Sequence, residues 1–253
     1  MARMGGQRRL KRLAAPVFWP IHKKEHVWAV KPRPGPHSQD RSIPLLVLVR
    51  DIFGYATTAR EARKLISEGH FKVDGVVRKD YKFPVGPMDV IEVVDTGETF
   101  RMLPYPTKHL VLHPIPKEEA SIKPLRIENK TTVKGGHIQL NLFDGRNILV
   151  RVSDPRNPVE DVYKTLDTVI VRIPDNKIEG HIKFGEGKIA IIFAGRNVGR
   201  VGVIKGVQRA WGWKRSIVTL ETPDGSTVQT SLAYVLVIGE DKPVISLPEG
   251  VWK

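Results

Sequence analysis

Cysteine is absent from this chain of 253 residues. Disulfides, thiolate nucleophiles and cysteine-ligated zinc are therefore excluded. No run of ~18 or more apolar residues occurs, so no segment has the length of a membrane-spanning helix. Acid is scarce: 27 Asp and Glu stand against 41 Lys and Arg, a formal charge of +14. That imbalance points to a polyanionic partner, nucleic acid before any other. A basic membrane-surface protein would need an amphipathic anchor, and none is visible. The opening MARMGGQRRLKRLAAPVFWP lacks the apolar core of a signal peptide and does not read as a transit peptide. A soluble intracellular protein is expected.

Catalytic sets are missing as well. His109 and His113 stand four apart, but HLVLHP alternates towards a proline and reads as a strand, with no Glu after the first His. In GHIKFGEGK, Glu186 occupies the lysine position of a phosphate loop and Ile189 follows Lys188 where Ser or Thr is needed. GRNVGRVG lacks the dinucleotide-binding glycine pattern and sits among strands. Asp74 belongs to a turn, nothing pairs with Asp89, and Asp80 has no nucleophile or base beside it. No enzyme, metal, cofactor or small-molecule substrate is expected.

With 41% hydrophobic residues the chain has material for more than one core, and its length suggests two or three domains. Residues 1–42 are rich in Arg, Lys and Pro, and Arg3, Arg8, Arg9, Lys11, Arg12, Lys23 and Lys24 precede the first acid, Glu25. In KPRPGPHSQD, Pro32, Pro34 and Pro36 forbid a helix or a central strand. This segment is expected to lie along a charged partner rather than to order alone. A solubilising tail is the alternative.

A helix is predicted from Pro44, with Leu45, Leu48, Val49, Ile52 and Phe53 at helical spacing and Gly54 as its end. Thr58 and Glu61 form a capping box for a second helix, whose buried stripe is Ala62, Leu65 and Ile66 and whose stop is Gly69. FKV-DG-VVR is a hairpin around Asp74-Gly75, and FPVGPMDVIEVV supplies a turn and a strand. Beyond about Tyr105 many short strands and frequent turns, among them Thr222–Gly225, suggest two small barrel-like β domains.

Arg60, Arg63 and Lys64 share one face of the second helix, and Lys72, Arg78 and Lys79 lie on or beside the hairpin. Packed together they would frame a groove for folded RNA; a plain solvated face is the other reading.

The order of capped helix, AR..RKLI..G, strand, V-D-G and P.G..DVIEV resembles the S-four RNA-binding domain, whose helix pair and turn hold structured RNA. GRNVGRVGVI, Gly195 to Ile204, resembles a KOW motif, in which a basic turn joins two strands of a small SH3-like barrel. There Gly202 would permit close backbone approach, Val201, Val203 and Ile204 would feed the core, and Arg196, Asn197 and Arg200 would project towards RNA or protein.

The blocks KRLAAP, RPGPHS, IPLLVLVRD, VDGVVRKD, FPVGPMDVIEV, IEGHIKF, GRNVGRVGVI, VLVIG and ISLP resemble, in this order and over almost the whole chain, the S-four-e family of archaeal and eukaryotic small-subunit ribosomal proteins. The short tail after ISLP resembles the archaeal members. The resemblance implies an α+β multidomain chain: a basic extension (1–42), an S-four domain (43–98), a central β domain (99–174), a KOW barrel (175–240) and a tail (241–253). It also implies small-subunit rRNA and neighbouring ribosomal proteins as partners, a cytoplasmic ribosomal location, and phosphate contacts by the cations named above and by Arg33. Val76 stands where the family has Lys, Ala194 where it has Gly, and Tyr234 where Asn is common, so contacts at those positions are not carried over. An RNA-modifying enzyme and a non-ribosomal translation or transcription factor are the competing classes.

Overall fold

The computed structural model describes residues 7–154, 156, 158–212, 215–248, 250 and 252; Arg3 lies outside them. The architecture is mostly β with few helices. Two compact units form: one takes the described residues up to Gly86 together with Ile91–Glu98, the other Pro87–Val90 and the described residues from Thr99 onward.

In the first unit the basic extension is folded, which corrects the expectation of a segment that gains order only on a partner. Strand β1 (Leu10–Lys11) pairs antiparallel with β2 (Trp28–Ala29), and Leu10, Ala15 and Trp19 are buried. The Trp19 indole N–H donates to the Ser42 carbonyl at 2.8 Å, satisfying the ring's one polar group. The prolines of KPRPGPHSQD do exclude an α-helix, and a 3-10 turn, Gln39–Arg41, follows them.

Strand β3 (Ile43–Pro44) leads into helix α1 (Leu45–Val47), which continues as a π turn over Leu48–Ile52. Pro44 is extended and caps the helix rather than starting it. The Phe53 N–H reaches the Leu48 carbonyl at 2.9 Å, five residues back, so the expected regular helix widens in its second half. Leu45 to Val49 are all fully buried: the segment is a central core helix, not an amphipathic one, because neighbours cover every side.

Helix α2 (Ala59–Glu68) carries the reciprocal capping box of Thr58 and Glu61, buries Ala62 and Ile66, and ends at Gly69, whose φ of 95° only glycine adopts cheaply. Strands β4 (Phe71–Val73) and β5 (Val76–Val77) form the hairpin around Asp74 and Gly75, both at positive φ. Strand β6 (Pro84–Val85) pairs with β3, and β7 (Val90–Val93) pairs with β4 through Phe71↔Val93, Lys72↔Glu92 and Val73↔Ile91.

The second unit is antiparallel sheet. Strands β8 (Thr99–Tyr105) and β9 (His109–Pro114) form a hairpin. Strands β10 (Ile122–Thr132), β11 (Ile138–Leu142), β12 (Asn147–Val150), β13 (Thr168–Arg172) and β14 (Lys177–Ile182) form a sheet of order β12-β11-β10-β13-β14. Strands β15 (Ile189–Ile192), β16 (Val201–Gln208), β17 (Ile217–Glu221), β18 (Thr227–Ser231) and β19 (Val235–Gly239) form another, of order β18-β17-β16-β15-β19. Strand β14 is bonded to β13, so the boundary expected at 174/175 falls inside a hairpin. The hydrogen-bonded order ends at β18 and β19; where an SH3-like barrel was expected there is a five-stranded sheet.

Strand β15 is buried along its length and serves two clusters in alternation: Ala190 and Ile192 face one, Ile189 and Ile191 the other. A Cβ on Gly202 would lie 2.5 Å from the Glu221 carbonyl oxygen, so glycine alone allows β16 and β17 to approach at this point.

Candidate nucleic-acid interface

The cations of the first unit do not share one fate. Around the start of α2, the β1–β2 pair and the Tyr81–Lys82 turn lies a cleft of about 1000 Å³. Arg8 and Arg9 reach it from the segment before β1, Lys31 from beyond β2, Arg63 from α2, and Lys82 from the turn. The local reasons are simple: the capping box fixes where α2 begins, and one helical turn later Arg63 projects from the same end. Glu61 itself is held below the usual carboxylate range, first by the Thr58 backbone N–H and then by the Thr57 hydroxyl and N–H. It stays ionised as a cap and does not lie among the cleft residues.

Charge in the cleft is strongly one-sided. Arg50 also lines it, but two 2.9 Å bonds to Asp51 occupy its guanidinium. Glu25 is the one acid of the lining. Among the described residues no carboxylate comes within ion-pair distance of Arg8, Arg9, Lys31, Arg63 or Lys82. Aromatic rings stand beside these cations: the Arg9 guanidinium is 5.6 Å from the Trp28 ring centroid, and Arg63 is 4.6 Å from that of Tyr81.

Of the expected site residues, then, the cleft gathers Arg8, Arg9 and Arg63. Lys11 is exposed on β1 opposite Trp28. Lys23 and Lys24 are exposed in the turn before β2, and Arg60 and Lys79 are exposed outside the cleft. Lys64 lies 3.9 Å from Glu68 and Arg33 2.8 Å from Asp80.

Three cations expected to meet phosphate are engaged inside the protein instead. Arg12 is 6% exposed and donates from Nε to the Ile21 carbonyl at 3.0 Å, so it ties the extension together. Lys72 sits 3.0 Å from Glu92 across the β4–β7 pair. Arg78 is half-buried, its guanidinium 4.6 Å from the Phe83 ring centroid.

In the second unit Arg196 and Arg200 are exposed, while Asn197 donates its amide to the Gln229 carbonyl at 3.1 Å. Three further cations of this unit are buried and internally engaged: Arg101, Lys123 and Arg126. Lys123 lies 2.6 Å from Asp89 and 3.2 Å from Asp144, and Arg126 donates to the Val235 carbonyl at 2.7 Å.

Sequence reasoning missed Lys31, Lys82, Trp28 and Tyr81. The signal was available in KDYKF, Lys79 to Phe83, where basic and aromatic residues interleave. Among the described residues no cluster of His, Asp or Glu is arranged to hold a metal, and no helix is long and apolar enough to cross a membrane.

The Ribosomal family S4e matches residues 96–178, the RS4NT domain residues 4–40, and the S4 domain residues 47–91. Small ribosomal subunit protein eS4 of Aeropyrum pernix is 75% identical over the full length of both chains. That of Methanocaldococcus jannaschii is 48% identical over 98% of this chain and all of its own. The crystal structure of the 30S ribosomal protein S4e from Thermoplasma acidophilum shares 33% identity, covers 79% of this chain and 96% of its own, and superposes with a TM-score of 0.65. An S-four domain preceded by the matched N-terminal domain, near full-length coverage and identity this high lead to one conclusion: the chain belongs to the eS4 family of small ribosomal subunit proteins.

Proposed function

We propose that this protein binds small-subunit rRNA through the cleft of its first unit and helps to hold the folded subunit together during assembly and translation. The family is structural, not enzymatic, and its place is the ribosome in the cytoplasm. One observation carries the rRNA reading: five cations without carboxylate partners converge on a cleft that opens beside two aromatic rings. Neutralising phosphates there releases condensed counterions, the dominant sequence-independent contribution to such affinity.

The folded extension extends the charged surface through Lys11, Lys23 and Lys24, and Arg196 and Arg200 offer a second phosphate-directed surface on the KOW-like strands. Neighbouring ribosomal proteins are the remaining partners of the β sheets, and no small-molecule substrate enters the scheme. The chain works as a basic extension (1–42), an S-four domain (43–98) and β domains beyond.

Sedimentation of a lysate at moderate and then high salt tests the role. About one copy per small subunit, retained through the wash, is expected; complete release into the free pool would favour a transient RNA-binding factor. Binding of the purified chain to small-subunit rRNA tests the cleft. If its five cations each neutralise a phosphate, log affinity falls against log salt with a slope of at least about 3.5, from ~0.7 to 0.9 per contact.

A further inference from the structure

We infer that the cleft holds unpaired nucleotides, with a base stacked on Trp28 and the adjoining phosphates on Arg8, Lys31 and Lys82. The inference deepens the rRNA-binding reading and rests on it. Trp28 is 53% exposed and Val27 66% exposed, although both belong to a segment that is otherwise well anchored by β1 and Trp19. Large apolar side chains left in a cleft rather than in a core await a partner surface. Arg9 lies over the Trp28 ring, and an indole with a cation beside it offers a nucleotide both a stacking plane and a counter-charge.

A duplex fits this lining poorly. A-form RNA keeps its bases stacked inside and shows a protein its phosphates and 2′-hydroxyls over a shallow groove. Such a ligand would use the cations and leave Trp28 and Val27 in water. A splayed-out base covers the apolar wall while its phosphates reach the rim. The cleft volume, about 1000 Å³, stands at the upper end of the ~300–1,000 Å³ typical of ligand clefts, which leaves room for more than a single base.

The test uses the full-length chain and two probes, a short oligoadenylate and an RNA duplex with the same number of phosphates, followed by fluorescence anisotropy across a salt series. The wild type is expected to prefer the single strand. Trp28→Leu keeps apolar bulk without the flat ring and should weaken single-strand binding at least about fivefold, with duplex affinity and salt slope unchanged. Trp28→Phe should restore most of the loss. Slow exchange of the Arg12 amide, which donates to Val27, verifies that each variant keeps the extension docked. Equal affinity for both probes, a duplex preference, or a neutral Trp28→Leu overturns the stacking. If rRNA is still bound with a steep salt slope in that case, the rRNA reading stands alone; if neither probe nor rRNA shows salt-dependent binding, that reading falls too.

Discussion

Trp19→Ala should release the basic extension from the first unit. The indole is 2% exposed, and an aromatic ring of this size buries ~150–250 Å². At ~25 cal/mol per Å² the burial contributes about 4–6 kcal/mol as an upper bound. The hydrogen bond to Ser42 adds about 1 kcal/mol, and relaxation around the vacated site returns part of the total, so truncation should cost about 4 kcal/mol. That is roughly a thousandfold in the ratio of docked to undocked extension. The remaining apolar anchors, Leu10, Ala15 and Pro32, are too small to offset it.

Amide hydrogen exchange reads the result. The Arg12 N–H donates to Val27 and the Ala15 N–H to Arg12, while the Leu45 N–H donates to Phe83 and the Leu46 N–H to Tyr81 in the body of the unit. In the variant the first two should exchange about two to three orders of magnitude faster, and the second two far less so. Coil-like exchange at Arg12 in the wild type would refute the folded extension, and unchanged protection in Trp19→Ala would refute the indole as its anchor.

Other perturbations have equally definite outcomes. Thr58→Ala removes the cap of α2 and should cost about 1 kcal/mol in chemical denaturation. Because Glu61 titrates below its ordinary value of 4.5, the cap's contribution holds above that value. Glu61's share fades as pH falls through the lowered one, so the gap between wild type and Glu61→Ala should shrink in acid, while that of Thr58→Ala, which keeps the backbone N–H of residue 58 and the Thr57 donors, should change little. His70 is held above its ordinary 6.5, first by the hydrogen bond to Asp95 and then, against some desolvation, by Glu68. Its stabilisation is therefore complete below about pH 6.5 and lost as pH rises through the raised value. NMR titration should find the ring's midpoint above 6.5 and moved down by Asp95→Asn. Asp89→Ala removes the carboxylate 2.6 Å from the fully buried Lys123 ammonium. A loss of about 3 kcal/mol is expected in urea.

Short-range grammar made much of the first unit legible. Thr58 with Glu61, Gly69 and Asp74-Gly75 each encode a local backbone state that a few neighbours suffice to satisfy, and all three occur as read. Less local features escaped. The widening of α1 at Leu48–Ile52 depends on what covers Ile43 to Val49 on every side, which apolar spacing does not report. The extension read as disordered because proline and positive charge dominate it, yet one indole docked under Ser42 outweighs that composition.

By itself the sequence determined the family, the sign of the charge, the absence of thiol chemistry, and the local turns and caps, since all of these are properties of residue type and near-neighbour order. Only the tertiary structure decided which cations are free. Arg12, Arg101, Lys123 and Arg126 contribute to the same +14 as Arg8, Arg63 and Lys82, but the former are buried against carbonyls and carboxylates while the latter line an open cleft. A cation's availability to phosphate depends on what the fold brings within a few ångströms of it, and that distance is set by contacts between segments far apart in the chain.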